Sequence, residues 1–215
     1  MSTISIIGLG NMARALGARA ITGGNTVEVI GRDAAKTAKL ARELGGGTTA
    51  GAFGAVPAGD IVILAVLYES TVPVVEQYGD RLAGKTIIEI SNSFGPDLAS
   101  LLTPEGTSAA EQVAAAAPAD AHVVKAFNTI FGHVLAADSK SKRRLDVFLA
   151  GDDAAAKARV SAFIDSLALH ALDTGPLSAA RRLEQAGLLV MGLAQNGVGH
   201  YNFALGVTNL DSAAA

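Results

Sequence analysis

The chain has 215 residues, half of them hydrophobic, and a formal net charge of −3. That length suits one large domain, or one domain with a small appendage, and leaves ample core for independent folding. With no cysteine, a disulfide framework, a thiol nucleophile and a Cys-based metal site are all excluded. The basic residues are scattered, which speaks against a broad nucleic-acid surface. No apolar run approaches a membrane span, and the first residues enter a strand without a charged leader. These features together predict a cytoplasmic protein with no membrane partner.

The first element is a β-branched run, Thr3–Ile7, of the kind a strand buried on both faces requires. Gly8-Leu9-Gly10-Asn11-Met12-Ala13 follows at once and opens a helical pattern carrying Leu16 and Ile21. Gly8 permits the tight turn, and Gly10 lets the backbone approach a pyrophosphate lying at a helix N-terminus. Ala13 stands where the third glycine of such a fingerprint serves close helix–strand packing. With a second strand at 26–30, the strand–turn–helix–strand context of a dinucleotide site is complete. That second strand ends in Gly31-Arg32-Asp33. Gly31 occupies the place where an acidic residue would bind a ribose 2′-hydroxyl, and Arg32 is placed to accommodate a 2′-phosphate, so NADP is expected rather than NAD. Lys36, one turn into the next helix, supplies a second cation.

Further strands are expected at 60–66, 85–90, 122–127, 146–150 and 170–173, alternating with helices. The implied architecture is an α/β, Rossmann-like doubly wound and mostly parallel sheet. Strand ends near the reversal of strand order line the ligand crevice, which places Ala65, Val66 and Leu67 along the ribose and nicotinamide. Tyr68 either covers the cofactor or packs, and Glu69 reads as a first-turn helix acid. Ser91-Asn92-Ser93-Phe94-Gly95-Pro96 is a natural ligand loop, although turn chemistry alone would account for it. A helix is expected at 107–117. The charged stretch Asp138–Arg144 reads as a solvated loop, with contact to an anionic ligand tail as the alternative. Asp152 and Asp153 are expected as N-cap and first-turn acids. A long helical region begins at Ser178, which divides the chain into a nucleotide domain, 1–177, and a C-terminal helical part, 178–215.

Much familiar chemistry is missing. The four histidines stand apart without ligand spacing, so no metal site is expected, and there is no GxSxG elbow or P-loop lysine. What remains is a cofactor cradle without an acid, base or nucleophile, as suits a reaction in which cofactors carry the chemistry and the protein positions them.

In these residues the chain resembles the F420-dependent NADP oxidoreductase family (NADPH:F420 reductases), whose nucleotide domain is related to that of the STEAP metalloreductases. The resemblance rests on Ile6-Ile7-Gly8-Leu9-Gly10-Asn11-Met12-Ala13, Gly31-Arg32 with Lys36, and Val123-Val124-Lys125-Ala126-Phe127-Asn128-Thr129. It continues through Gly151-Asp152-Asp153, Leu172–Leu177 with Arg181 and Glu184, and Asn196-Gly197-Val198-Gly199. It implies hydride transfer between NADPH and the deazaflavin F420, and a homodimer. It also implies that Gly8, Gly10, Asn11, Met12 and Ala13 hold the pyrophosphate and that Arg32 and Lys36 hold the 2′-phosphate. Ala65, Val66, Leu67, Ser91 and Asn92 would flank the nicotinamide. Asn128 and Thr129, with Asn196, Gly197, Val198 and Gly199, would shape the pocket of the second substrate. The Lys125–Thr129 run resembles the metalloreductases equally, which implies a flavin as the alternative carrier. A protein that binds NADPH and signals without turnover is the alternative outside catalysis.

Overall fold

The computed structural model describes residues 2–137 and 144–208. Most of the charged stretch at 138–144 therefore lies outside the described residues, as does the chain after 208. Arg144 is described, and it is already engaged, donating to the Asp165 carboxylate at 2.8 Å and to the carbonyls of Asp165 and Leu169.

β1 (Thr3–Ile7) is central because its apolar side chains are buried on both faces. Ile4 and Ile6 pack with Leu16 and Leu40 on one side, while Ile7 packs with Val74 and Tyr78 on the other. Each such fully buried side chain contributes about 1.5–3 kcal/mol. β1 pairs with β2 (Thr26–Gly31) and with β4 (Ile61–Leu64), both in parallel. The eight-stranded sheet has the order β3-β2-β1-β4-β5-β6-β7-β8, with β5 at Thr86–Glu89 and β6 at His122–Ala126. Strand order reverses between β1 and β4, so the C-terminal ends of these two strands open the crevice typical of a doubly wound fold. The α/β, Rossmann-like reading is correct.

α1 (Asn11–Thr22), α2 (Ala34–Leu44) and α6 (Ala154–Ser166) connect strands, as do α3 (Tyr68–Tyr78) and α4 (Ala109–Ala116). A five-residue helix, α5 (Gly132–Ala136), follows β6. Two features depart from expectation. An additional edge strand, β3 (Thr49–Ala52), pairs in parallel with β2; its Thr-Ala-Gly-Ala sequence has no apolar period because its side chains are largely exposed. β7 (Asp146–Gly151) runs antiparallel to β6, and β8 (His170–Asp173) follows β7, so the far edge of the sheet is reversed. α7 (Ala180–Gly192) then packs across the sheet and ends in a π-helical turn, Leu193–Gly197.

Asp153 caps α6, accepting from the Ala156 amide at 2.7 Å. Asp152 is not a helix acid: its Oδ1 accepts from Leu177 N at 2.8 Å and fixes the approach to α7. Asp153→Ala is expected to cost about 1 kcal/mol, the usual value of a helix N-cap, read as a lower denaturation midpoint. Among the described residues no helix is long and apolar enough to cross a membrane.

Candidate functional site

The turn after β1 is as tight as its glycines require. Gly8 has φ +129°, and a Cβ there would lie 2.1 Å from the Ala65 carbonyl oxygen. Only hydrogen fits between the ends of β1 and β4. At Gly10 the opposite holds: a Cβ would meet nothing within 4 Å, so open space lies over the start of α1. Gly10 is also the N-cap of α1 and offers no side-chain acceptor, which leaves the first amides of a twelve-residue helix directed at that space. An anion of pyrophosphate size and charge fits such a cradle.

The cradle lies in a cleft of about 660 Å3 that crosses the C-terminal ends of β2, β1, β4 and β5. Arg32 lines one end and Ser91 and Asn92 the other, with Gly8, Gly10, Asn11 and Met12 between them. Ala65, Val66 and Leu67 line the middle, and Tyr68 stands beside them. The Tyr68 hydroxyl donates to Gln112 Oε1 at 3.0 Å, so this residue both packs against α4 and borders the cleft. Glu69 lies in the first turn of α3, as expected. Ala13 is fully buried in the core beneath the cradle and acts through packing alone.

Arg32 lies over the Phe53 ring, 5.4 Å from its centroid, and Phe53 itself lines the cleft. Phe53 meets Tyr78 edge-on at 5.6 Å, and the Tyr78 hydroxyl accepts from Gly54 N at 3.1 Å. Burial pushes the Tyr78 phenol above its usual pKa, against the smaller effect of that hydrogen bond. Phe53 follows the unpredicted strand β3, which explains why sequence reasoning missed it. Lys36 does not line the cleft. It is exposed, with its ammonium 3.6 Å from Asp33, the N-cap of α2.

A second cavity of about 250 Å3 adjoins the first and shares Met12, Ile90 and Asn92 with it. Asn128 and Thr129 line it, together with Phe131, Gly187 and Met191, and none of its lining side chains is titratable. The Asn196–Gly199 segment does not reach it. Those residues are exposed beyond α7, and Asn196 Nδ2 donates back to Gly192 O at 3.0 Å. Instead, the following residues pass over Phe131, which meets Tyr201 and Phe203 edge-on at 5.5 and 5.9 Å.

Beneath both cavities lies a buried ionic cluster. Lys125 Nζ donates to Glu89 Oε2 at 2.5 Å, to the Ser91 carbonyl at 2.6 Å and to Glu184 Oε1 at 3.0 Å. All three ionic side chains have zero exposure. The signal for it was present: apolar strands β5 and β6 each carry one charge, and Glu89 stands opposite Lys125 in the register. Lys125 and Glu184 already carried part of the family resemblance, without a role.

Residues 3–93 match the family described as NADP oxidoreductase, coenzyme F420-dependent. Metalloreductase STEAP3 of Rattus norvegicus is 31% identical over 188 residues, which is 87% of this chain and 37% of that protein. The F420-dependent NADP reductase of Methanocaldococcus jannaschii is 30% identical over 140 residues, 63% of this chain and 62% of that enzyme. The chain thus spans less than two thirds of either relative. A candidate F420-dependent NADP reductase from Arthrobacter sp. FB24 shares the fold, with a TM-score of 0.85 at 24% identity over 97% of this chain and all of that one. The segment that builds the glycine cradle, Arg32 and the Ser91–Asn92 end of the cleft is thus the part of the chain that matches the F420-dependent NADP oxidoreductase family.

Proposed function

We propose that the protein is an oxidoreductase that passes a hydride between NADPH and a planar carrier, with F420 as the carrier. The observation that carries this reading is the joining of two cavities at Met12, Ile90 and Asn92. One has the fingerprint of a phosphorylated dinucleotide site, and the other is an apolar slot beside its far end. The bound nicotinamide supplies the hydride chemistry, and the protein's part is placement.

In this reading the backbone at Gly8, Gly10, Asn11 and Met12 holds the pyrophosphate at the start of α1. Arg32 holds the 2′-phosphate with a charge-assisted hydrogen bond, and the exposed Lys36 adds a second cation from the outer side. Ala65, Val66 and Leu67 form the wall along ribose and nicotinamide, while Ser91 and Asn92 close that end. Asn128 and Thr129, with Asn92, supply the polar groups of a cavity whose other lining side chains are apolar. Bringing two flat partners together in fixed orientation is itself a large contribution to rate.

A flavin is the rival carrier, favoured by the Lys125–Thr129 run and by the extent of the likeness to the metalloreductase. The reading includes a cytoplasmic homodimer, as the family resemblance implies. Light scattering of the purified protein tests the dimer.

The deciding experiment follows NADPH oxidation by absorbance with F420, FMN and FAD offered separately. Turnover with F420 alone supports the reading as stated. Turnover with flavins alone replaces F420 by a flavin, and tight NADPH binding without turnover on any carrier replaces catalysis by sensing. Arg32→Ala is expected to weaken NADPH binding by about 1–3 kcal/mol through loss of the phosphate contact. NADH binding should be nearly unchanged; equal losses for both would remove Arg32 from the 2′-phosphate site.

A further inference from the structure

The trio of Glu89, Lys125 and Glu184 does more than hold the fold together. A buried ion pair is a poor way to gain stability, because apolar side chains of similar volume usually serve as well. What such a cluster does supply is directional bonding, and here the bonds converge on one residue of the cleft. Ser91 N donates to Glu89 Oε1 at 2.7 Å, and the Ser91 carbonyl accepts from Lys125 Nζ at 2.6 Å. Both backbone polar groups of Ser91 are therefore held by fully buried charges just past the end of β5. Glu184 joins the same ammonium from α7 and is itself fixed by Ala109 N at 2.9 Å and Ser93 Oγ at 3.1 Å.

The next residue is clamped as well. Asn92 Nδ2 donates to the Asn128 carbonyl at 2.8 Å, and Asn128 Nδ2 donates to Asn92 Oδ1 at 2.9 Å and to Leu183 O at 2.8 Å. Asn128 is presented by Phe127, a buried residue with φ +64°. Backbone strain of that kind persists only where the surroundings over-determine it. α7 leaves no slack either, since a Cβ at Gly187 would lie 2.8 Å from Asn92 Oδ1. Asn92 lines both cavities.

We propose that Lys125 is a positioning residue for hydride transfer: with Glu89 and Glu184 it pre-organises Ser91 and Asn92 at the nicotinamide end of the cleft and ties that loop to α7. The proposal rests on the NADPH reading above. Lys125 touches no ligand itself; it acts by removing the ordering that a loose loop would undergo on binding.

The test compares two ligands by titration calorimetry on the full chain. NADPH reaches the Ser91–Asn92 end, whereas 2′,5′-ADP occupies only the adenosine end. The variant is Glu89→Leu/Lys125→Met/Glu184→Gln, in which apolar volume replaces the ion pair, the amide oxygen introduced by Glu184→Gln accepts from Ala109 N, and its Nε2 donates to Ser93 Oγ. It is expected to fold cooperatively but to melt below the wild type, because Ser91 N and Ser91 O lose their buried partners, and binding is compared below its transition. It should bind 2′,5′-ADP as the wild type does, but NADPH about tenfold more weakly, with loss of the blue shift in bound nicotinamide fluorescence.

If this variant does not fold, Glu89→Gln makes the same comparison. It retains the Lys125–Glu184 pair, yet its amide cannot accept from both Ser91 N and Lys125. Equal weakening of both ligands, or of neither, would overturn the positioning role and leave the NADPH reading intact. Failure of the wild type to bind either ligand would overturn the NADPH reading and this inference with it.

Discussion

Lys125→Ala is expected to lower stability by about 3–5 kcal/mol, the usual cost of removing one partner from a buried ion pair. Domains of this kind have only about 5–15 kcal/mol in total, so a single substitution at a side chain that lines neither cavity should bring the chain to the edge of unfolding. The physical reason is that Glu89 and Glu184 remain at zero exposure with no cation, and an uncompensated buried carboxylate either takes up a proton or opens the structure to water. Denaturant titration read by circular dichroism measures the effect. A loss below about 1 kcal/mol, the range typical of exposed pairs, would show that water reaches the cluster.

The second large effect is expected at Gly8. Alanine there must adopt φ +129°, and its Cβ would lie 2.1 Å from the Ala65 carbonyl oxygen. Strain in a sparsely populated backbone region costs about 1–3 kcal/mol, and forcing extra volume into packed structure costs about 1–3 kcal/mol more. Relief requires movement of a junction held by Gly8 N to Ile30 O at 2.9 Å and Ala65 N to Ile7 O at 2.8 Å. Gly8→Ala should therefore lower both the melting temperature and NADPH affinity. Gly10→Ala, with open space around its Cβ, should spare the melting temperature and act on affinity alone. Paired thermal melts and NADPH titrations of the two variants check this contrast; equal destabilisation by both would contradict it.

The parts of the molecule written in consecutive residues were readable from the sequence. β1, the glycine turn and the start of α1 form one local unit, and Arg32 follows β2 directly. A buried strand such as Ile61–Leu64 announces itself because burial on both faces demands an unbroken apolar run. β3 gives no such signal, since an edge strand needs only its backbone to pair, and Phe53 was lost with it. The reversal at β7 was hidden for a different reason: strand direction depends on where the chain crosses the sheet, which side-chain patterns do not record. The ionic cluster joins residues 36 and 59 positions apart in sequence. Each charge alone looks like an ordinary strand or helix residue, and only register and packing bring the three together. The placement of Asn196–Gly199 failed because its glycines suited a ring contact equally well as the loose end of a helix.

The reversal of β7 and β8 also decides which end of the protein an experimenter can tether. β1 begins at the edge of the sheet opposite the cleft, so Ser2 emerges far from the site. Because β8 descends toward the level of Val123, α7 starts low on the sheet and climbs past Lys125 to Asn92. The segment after it returns over Phe131 to Asp146, whose Oδ2 accepts from Val207 N at 2.7 Å. The last described residues thus leave from the edge where both cavities open. A surface anchor, fluorophore or fused reporter attached at Ser2 leaves the cleft clear, whereas one joined directly after Val207 starts beside Asp146 at the cleft edge of the sheet.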